Sequence, residues 1–424
     1  MEYGLIGERL PHSFSKEVHR RCADYPYELV ELKAEQVGEF LEKRDFRAIN
    51  VTIPYKQTVI PFLSETDAHA RAIGAVNTVV NREGKLYGYN TDFYGMEALL
   101  RRAGICLAGK KVLILGTGGT CRTARSVALA ANAASVICVG RRGGEGCITY
   151  EEAYASHTDG DVIINTTPCG MFPYADGGEG RAAMPLDLSR FPRLCGVVDA
   201  VYNPLRTNLV LEAKARGIPA EGGLYMLVAQ GVKASRIFLG RDVSDEAALD
   251  RRCEEIYGSI LREKENIVLT GMPSCGKSTV GKALAEALGR PFADSDGEIV
   301  RRAGMSIPEI FAQKGETYFR DLESEVLTDL ANTLQGGIIA TGGGAVLRER
   351  NIRALKRTGR IYFLDRSLSL LLPTADRPLA SDREAVRRRY EERYGRYRAT
   401  CDCRIPADGE VAEAVRAIRK DFDL

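Results

Sequence analysis

Two different glycine-rich turns constrain the fold of this 424-residue chain more than any other feature. Each turn follows a short β-branched run, at residues 111–115 and 266–270, and each precedes a stretch with helical spacing. Glycines let the backbone approach a phosphate closely, and the free N–H groups at the start of a helix attract its charge. The sequence therefore predicts α/β domains with two separate nucleotide sites, in a chain too long for one compact core.

Further β-branched runs alternate with helical stretches, and no repeat of a solenoid protein is present. We expect the remaining strands at residues 48–53, 135–139, 161–165, 196–200, 337–341 and 360–364. Strand, helix and strand in this order are typical of parallel sheets flanked by helices. A helical pattern over residues 244–264 changes abruptly to a strand pattern at 266, which predicts a domain boundary near residue 264 without a long linker.

Composition excludes several classes of function. The chain has 59 Lys and Arg against 57 Asp and Glu, so we expect no nucleic-acid partner. Its apolar runs end far short of the roughly 20 residues that cross a bilayer. Met1 is followed by Glu2 and Gly4 rather than by a basic and then an apolar segment, so we expect no secretory leader and a cytoplasmic protein. The eleven cysteines form no CxxC pair, which favours reduced thiols over disulfides or zinc.

The first turn has the spacing of a dinucleotide-binding turn. We assign to the cofactor the residues Gly116, Gly118, Gly119 and Thr120, which would surround a pyrophosphate. The next predicted strand ends in Arg141 and Arg142, about where an NAD-binding fold carries an acid for the ribose 2′-hydroxyl. Two guanidinium groups suit a 2′-phosphate instead and favour NADPH. The alternative is that both arginines only solvate the end of a strand.

Four polar motifs precede the first turn. They are His12-Ser-Phe-Ser15, Asn50-Val-Thr-Ile-Pro-Tyr-Lys56, Gly74-Ala-Val-Asn-Thr78 and Gly88-Tyr-Asn-Thr-Asp92. Polar groups that end strand-like runs are expected to meet in one cleft at the carboxyl edge of the sheet. Hydroxyls, amides, one lysine and one aspartate are what a small polyhydroxylated carboxylate requires. Each motif taken alone is also compatible with a structural turn.

With these motifs and residues 222–230, GGLYMLVAQ, the chain resembles the shikimate dehydrogenase family over residues 1 to about 262. The resemblance implies a substrate domain at residues 1–104, completed by helices from about 224–262, and a Rossmann NADP domain at 105–223. It implies Lys56 and Asp92 as the catalytic pair. It implies as substrate contacts Ser13, Ser15, Thr52, Asn77, Tyr202 and Gln230. Two departures are Lys16, where a proline is usual, and Gly140, where an asparagine usually precedes the cofactor-binding arginine.

The chemistry of carbonyl reduction agrees with the catalytic pair. Hydride addition to a ketone carbon leaves negative charge on the oxygen, which a nearby cation can stabilise and protonate. Lys56 suits this role, and Asp92 would orient it. We therefore expect Lys56 to be the general acid in the direction of reduction.

The second turn, Gly271-Met-Pro-Ser-Cys-Gly-Lys-Ser278, is a complete GxxxxGKS phosphate-binding loop. Its backbone N–H groups would surround the phosphates of ATP, Lys277 would neutralise them, and Ser278 would offer a hydroxyl to Mg²⁺. The cofactor residues assigned here are Gly271, Ser274, Cys275, Gly276, Lys277, Ser278 and Thr279. Since no histidine follows His157, a phosphohistidine within this half is excluded and direct transfer to an acceptor is expected.

Downstream motifs indicate the acceptor. They are Asp294-Ser-Asp296, Phe319-Arg-Asp-Leu-Glu323, Thr341-Gly-Gly-Gly-Ala345, Asp376-Arg-Pro-Leu379 and Arg393 ahead of Tyr397. Arginines for a carboxylate and an aspartate for a hydroxyl suit a small acidic polyol. The run at 387–389, three arginines, is interpreted as the solvated face of a helix.

These motifs resemble the shikimate kinase family over residues 264–424, which implies a P-loop parallel α/β domain like that of nucleoside monophosphate kinases. By this resemblance the shikimate contacts are Asp296, Arg320, Gly343, Gly344 and Arg393. Lys277 and Arg377 would bind ATP phosphates, with Arg377 in a mobile lid. Ser278 and Asp294 would belong to the Mg²⁺ shell. Asp296 would orient the attacking hydroxyl or accept its proton.

The two resemblances imply a bifunctional enzyme that reduces 3-dehydroshikimate with NADPH and then phosphorylates shikimate with ATP. The expected partners are these small molecules, without nucleic acid or membrane. A sensor built from the same modules would have lost Lys56, Asp92, Lys277 or Asp296, and all four are present. A quinate dehydrogenase that uses NAD is a nearer alternative, which Arg141 and Arg142 disfavour. Oligomeric state and channelling of shikimate stay open.

Overall fold

The computed structural model describes residues 1–10, 13–144, 146–177, 183–372 and 383–422. The chain divides into two compact units, Met1–Ile260 and Leu261–Leu424. Each is an α/β unit, as the sequence predicts, and each has its own buried apolar core. Among the helices of the described residues, none is both long enough and apolar enough to cross a membrane.

The first sheet has six strands, and four helices lie between or after them along the chain. In chain order the elements are β1 (Tyr3–Gly7), α1 (Ser15–Cys22), β2 (Glu28–Glu31), α2 (Ala34–Lys43), β3 (Ala48–Val51), β4 (Glu65–Thr66), α3 (Ala68–Ile73), β5 (Thr78–Arg82), β6 (Lys85–Tyr89) and α4 (Thr91–Arg102). The strand order is β2-β1-β3-β5-β6-β4. The predicted strand at 48–53 is therefore β3, which ends two residues earlier.

Parallel pairing was expected, but the first sheet is mixed. β1 runs parallel to β2 and β3, whereas β5 runs antiparallel to β3 and β6. The physical reason is a tight turn at Glu83 and Gly84, both with positive φ, which joins β5 to β6 as a hairpin. Asn77 consequently precedes its strand instead of ending it. It still lies at the edge where β3 and β6 end, because Thr78 pairs with Asn50 and Tyr89.

The second sheet is parallel throughout, with the order β12-β11-β10-β7-β8-β9. Its elements are β7 (Lys111–Leu115), α5 (Gly119–Ala130), β8 (Ser135–Gly140), β9 (Cys147–Thr149), α6 (Tyr150–Ser156), β10 (Val162–Asn165), β11 (Gly196–Asp199), α7 (Asn208–Ala215) and β12 (Ala220–Glu221). The strand predicted at 111–115 is confirmed as β7. The chain order reverses between β7 and β10, so the first glycine turn lies at the switch point of the sheet, where ligands bind in such folds.

Two helices follow, α8 (Leu224–Phe238) and α9 (Glu246–Lys264). α8 packs against α1 and α4 of the first sheet. The approach is close, because a Cβ at Gly231 would lie 2.7 Å from Val18 Cγ1 and one at Gly95 would lie 2.8 Å from the Met226 carbonyl oxygen. Glycine at these two positions therefore lets α8 bring Gln230 to the first sheet.

The second unit has a parallel five-stranded sheet with the order β14-β15-β13-β16-β17. Its elements are β13 (Asn266–Thr270), α10 (Lys277–Leu288), β14 (Phe292–Asp294), α11 (Ser295–Ala303), α12 (Ile307–Thr333, kinked at Gly315), β15 (Ile338–Ala340), α13 (Glu349–Thr358), β16 (Gly359–Asp365), α14 (Arg383–Thr400), β17 (Cys403–Pro406) and α15 (Val411–Phe422). β13 has the predicted bounds. It lies between β15 and β16, so its glycine turn opens at the centre of the sheet.

One buried carboxyl joins three elements of the second sheet. Asp199 accepts hydrogen bonds from Asn165 Nδ2 at 2.9 Å, the Val201 N–H at 3.0 Å and Thr207 Oγ1 at 2.6 Å. Burial raises the pKa of Asp199 to about 7, against the hydrogen bonds, which lower it. The folded chain therefore binds a proton that the unfolded chain has lost between about pH 4 and pH 7.

We predict that this carboxyl lowers stability as the pH rises from about 5 to 7. Asp199→Asn keeps the size of the side chain without the charge. The unfolding free energy of the variant minus that of the wild type should therefore increase by ~1 kcal/mol for each pH unit in this window. Denaturant unfolding at several pH values measures this, with the exposed Asp24→Asn as control. Parallel pH dependences of Asp199→Asn and wild type would contradict the prediction.

Candidate active sites

The predicted catalytic pair of the first unit is in direct contact. Lys56 lies in the turn that follows β3, and Asp92 is the second residue of α4. Lys56 Nζ donates to Asp92 Oδ2 at 2.5 Å, with side chains that are 19% and 13% exposed. The backbone holds the turn in place, because the Val76 N–H donates to the Lys56 carbonyl at 2.8 Å. The site thus presents one ammonium group, half-buried and held by a carboxylate, at the edge of the sheet.

Asn77 and Gln230 meet through Thr91. The Asn77 amide donates to Thr91 Oγ1 at 3.0 Å, and its carbonyl accepts from the Thr91 N–H at 2.8 Å. Thr91 Oγ1 in turn donates to Gln230 Oε1 at 3.5 Å. Asn50 accepts from Tyr27 Oη and supports the network by donating from its Nδ2 to the backbone carbonyl of Asn77. These bonds hold the start of α4, and with it Asp92, against α8.

The other predicted substrate contacts lie on neighbouring segments. Ser13 Oγ accepts from the Ser15 N–H at 3.3 Å, at the start of α1. Between them Phe14 packs on Tyr202, with ring centroids 5.4 Å apart, so the segment after β11 reaches the serines. Thr52 follows β3, and its N–H donates to the Ile6 carbonyl of β1. The described contacts thus join Tyr202 to the serine segment, while Thr52 belongs to the same sheet edge as Lys56.

The first glycine turn has the backbone that close approach of a phosphate requires. Gly116 has φ +115°, and a Cβ there would lie 2.6 Å from Thr166 Oγ1. Gly118 caps α5 and Gly119 begins it, and a Cβ at either would meet no atom within 4 Å. The surface over the helix start is therefore open at these two residues, and Thr120 lies in the same turn of helix. These residues fit a dinucleotide pyrophosphate.

Arg141 and Arg142 follow β8 and are exposed. With Thr117 they line a cavity of about 460 Å³ beside the glycine turn. The departure at Gly140 has a local reason, since a Cβ there would lie 2.9 Å from Thr117 Cγ2 and 3.1 Å from Cys147 Sγ. A larger residue at 140 would displace the wall of the cavity. The two arginines therefore provide its positive charge without a preceding amide side chain.

Sequence reasoning missed the polar residues that end β10. Thr166 Oγ1 donates to the Leu115 carbonyl at 2.6 Å, immediately before the glycine turn. Asn165 accepts from the N–H and Oγ1 of Thr167 and donates to Asp199. The signal was present, because polar residues 165–167 end a predicted strand. The sequence did not show that these residues lie beside β7, because the order of strands is a tertiary property.

The second glycine turn encloses its lysine. Gly271, Ser274 and Gly276 have positive φ angles of 148°, 64° and 96°. Lys277 Nζ is buried and donates to the carbonyls of Gly271 and Met272 at 2.9 Å each. Cys275 Sγ lies 3.8 Å from the same nitrogen, while Thr279 is exposed in the first turn of α10. The ammonium group therefore lies inside the loop whose N–H groups would bind phosphates.

Ser278 and Asp294, the predicted magnesium ligands, are in direct contact. Ser278 Oγ donates to Asp294 Oδ2 at 2.6 Å. The other carboxylate oxygen of Asp294 accepts from the Asp296 N–H at 3.0 Å, at the start of α11. A hydroxyl and a carboxylate next to a phosphate-binding loop are oxygen ligands of the kind that Mg²⁺ prefers. The residues present therefore fit this ion.

The predicted acceptor residues surround the three-glycine loop after β15. A Cβ at Gly342 would lie 2.5 Å from Asp296 Oδ1, and one at Gly344 would collide with the Arg320 guanidinium. Arg393 Nη1 donates to the Gly343 carbonyl at 3.1 Å, and Gly343 also approaches Pro273 of the phosphate loop. The loop has no room for side chains because the Asp296 carboxylate, the Pro273 ring and the Arg320 guanidinium lie against its three glycines. Arg377 lies outside the described residues, so its placement stays a prediction.

Glu323, to which the sequence assigned no role, lies among the predicted acceptor residues. It is buried, and its Oε2 accepts from Arg320 Nη1 at 2.9 Å. Its Oε1 would lie 3.0 Å from a Cβ at Gly342, beside Asp296. Burial raises the pKa of the Glu323 carboxyl, and the Arg320 guanidinium opposes that shift. Its position three residues after Arg320 on α12 is the only sequence signal for the pair.

Comparisons with known proteins match both parts of the chain. Residues 5–79 match the family described as shikimate dehydrogenase substrate binding domain, and residues 273–422 match the family described as shikimate kinase. The shikimate dehydrogenase (NADP(+)) of Clostridium perfringens strain SM101 is 35% identical over 272 residues, which cover 60% of this chain and 97% of that protein.

Two solved structures resemble the first unit. Shikimate dehydrogenase 1 from Peptoclostridium difficile is 31% identical with a TM-score of 0.53, over 61% of this chain and 98% of that one. Shikimate 5-dehydrogenase from Thermus thermophilus, in complex with NADP(H) and shikimate, is 27% identical with a TM-score of 0.51, over 60% of this chain and 99% of that one. On these matches the chain belongs to the shikimate dehydrogenase family, and it carries a shikimate kinase domain at residues 273–422 as a fusion.

Proposed function

We propose that this chain is a bifunctional enzyme of the shikimate pathway. Its first unit reduces 3-dehydroshikimate to shikimate with NADPH, and its second converts shikimate to shikimate 3-phosphate with ATP. The observation that carries the proposal is the joining, in one chain, of a shikimate dehydrogenase unit and a shikimate kinase domain. The hydroxyl group that the first reaction creates is then the one that the second phosphorylates.

In the reduction, Lys56 is the general acid. It stabilises the negative charge that develops on the ketone oxygen and then protonates it. The 2.5 Å ion pair with Asp92 keeps the ammonium group in one position, so that it need not reorganise during the reaction. NADPH supplies the hydride when bound. The substrate is oriented by Ser13, Ser15, Thr52, Asn77, Tyr202 and Gln230.

The nicotinamide cofactor is NADPH rather than NADH. The Thermus relative was solved with NADP(H), and the Clostridium relative is named as NADP-linked. Arg141 and Arg142 line the cavity beside the glycine turn and supply the charge that a 2′-phosphate requires. The same two groups count against a quinate dehydrogenase that uses NAD.

In the phosphorylation, Asp296 orients the attacking hydroxyl or accepts its proton. Arg320 and Arg393 hold the carboxylate of shikimate, while the backbone of Gly343 and Gly344 allows the ring to approach. ATP, with Mg²⁺ on Ser278 and Asp294, supplies the phosphoryl group. Lys277, and by family resemblance Arg377, bind its phosphates. Positioning and charge neutralisation account for most of the catalysis in such transfers.

A sensor that binds these metabolites without converting them is the rival function. It would not need the Lys56–Asp92 ion pair or a carboxylate at the acceptor site. This chain keeps both, and Asp296 lies against the three-glycine loop. The arrangement therefore favours catalysis.

We predict that two single variants will separate the two reactions. Lys56→Ala should lower the turnover of NADPH with 3-dehydroshikimate by about 10²- to 10⁴-fold, because it removes the general acid. The same variant should phosphorylate added shikimate at the wild-type rate. Asp296→Asn should show the opposite pattern, and a thermal unfolding scan of each variant checks that the substituted unit is still folded. NADPH absorbance and coupled ADP release measure the two rates.

The proposal fails if the wild-type chain does not consume NADPH and then ATP when given 3-dehydroshikimate. An unchanged reduction rate in Lys56→Ala would refute the role of the lysine alone. An unchanged phosphorylation rate in Asp296→Asn would likewise refute the role of the aspartate.

We also predict a specific loss of NADPH affinity on removal of the cavity arginines. Arg141→Gln combined with Arg142→Gln should raise the KM for NADPH at least about tenfold, because each charge-assisted hydrogen bond contributes about 1.5–3 kcal/mol. The KM for NADH should change little. Steady-state kinetics with both cofactors measures the ratio, and an equal effect on both would show that the arginines do not contact the 2′-phosphate.

A further inference from the structure

Arg389 is not part of the solvated face that the run at 387–389 indicates. Arg387 and Arg388 are exposed, and Arg387 pairs with Glu391 on the same helix. Arg389 is half-buried, and its Nη1 is fully covered by protein. It lies one helical turn before Arg393 on α14, so both side chains project from the same face. The sequence interpretation is therefore wrong for this one arginine.

Three buried polar atoms, two on residues at the predicted acceptor site and one on Arg389, have no hydrogen-bond partner among the described residues. They are Arg389 Nη1, Arg393 Nε and Glu323 Oε1. Such groups are costly to bury, and a cluster of them indicates a missing ligand. Two guanidinium donors require an anion, and one carboxylate oxygen requires a hydroxyl donor. An acid that carries hydroxyl groups satisfies all three.

The charges around the site strengthen this point. Arg320 is already neutralised by Glu316 at 3.3 Å and Glu323 at 2.9 Å. Arg393 uses Nη1 for the Gly343 carbonyl, while its Nε lies 4.0 Å from Glu392 Oε2 and has no hydrogen bond among the described residues. Burial lowers the pKa of Arg389 and repulsion from Arg393 adds to that effect, while Glu392 and Glu316 oppose it and Arg320 adds a smaller lowering. Glu392 and Glu316 offset part of the repulsion between these guanidinium groups, and an anion bound between them would remove more of it.

We propose that Arg389 binds the carboxylate of the acceptor acid as a third arginine beside Arg320 and Arg393. This inference rests on the proposed kinase function. The carboxylate, and not a phosphate of the nucleotide, is the ligand because Arg389 clusters with the acceptor arginines. The cation of the nucleotide site is Lys277, which lies inside the phosphate loop. Arg389 thereby contributes to the preference of the site for an acidic ring.

The test compares Arg389→Gln with Arg388→Gln, which removes a neighbouring exposed arginine from the same helix. Shikimate and its methyl ester are the two acceptors. Arg389→Gln should raise the KM for shikimate about 10- to 100-fold, as expected for loss of a hydrogen bond between charged groups. Its kcat and its KM for ATP should stay within about threefold of wild type. With the uncharged ester, Arg389→Gln and wild type should have similar kcat/KM.

The controls separate this inference from the function on which it rests. Wild-type protein that does not phosphorylate shikimate overturns both. Wild-type activity with equal shikimate KM values for Arg389→Gln and Arg388→Gln overturns the inference alone, as does an equal loss with acid and ester. NADPH-dependent reduction by the same preparation reports folding of the first unit only, so a thermal unfolding scan accompanies it. If Arg389→Gln unfolds, Arg389→Lys replaces it and should raise the KM for shikimate by a smaller factor, and no rise would overturn the inference.

Discussion

Both nucleotide sites depend on backbone that only glycine adopts without strain. Gly116 and Gly271 leave their strands at φ angles of +115° and +148°, and a Cβ at either would lie within 3 Å of a neighbouring atom. These turns convert the end of a buried strand into the start of a helix within a few residues. The helix N-terminus is thereby aimed at the edge of the sheet where the substrate residues collect. Without them, neither unit would place phosphates and polar side chains at the same edge.

The two units bring different sets of charged side chains to their sites. The first holds one lysine with one aspartate, near amides and hydroxyls, which suits proton delivery to a ketone oxygen that becomes negatively charged. The second concentrates arginines, a buried glutamate and an aspartate around a loop without side chains, which suits an anion and a hydroxyl held for in-line transfer. The ion pairs of the two sites differ in the same way. Lys56 has one carboxylate partner, whereas Arg320 has two.

Much of the site was predictable because its residues follow local rules. Lys277 and Ser278 stand at fixed offsets from the glycines of a strand-to-helix turn, and β7 and β13 have the bounds that their β-branched runs predict. Contacts that join distant segments were less accessible. Glu323, Thr166 and Arg389 carried weak or misleading local signals, and the antiparallel hairpin of β5 and β6 went unpredicted because periodicity does not report strand direction. Packing against neighbours decides such features.

The sequence by itself predicted the chemistry of the chain: two phosphate-binding turns, a lysine and an aspartate for a reduction, and arginines and an aspartate for a phosphoryl transfer. It did so because the glycine turns, Lys56, Asp92 and Asp296 lie within a few residues of a strand end, whereas Arg320 and Arg393 lie inside helices and were assigned through the family motifs. Only the tertiary structure decided which groups meet. The order of strands placed Thr166 beside Gly116, and the close packing of α8 on α1 and α4 brought Gln230 to Thr91. The burial of one face of α14 separated Arg389 from the exposed arginines before it, since exposure is set by what packs against a helix and not by the helix alone.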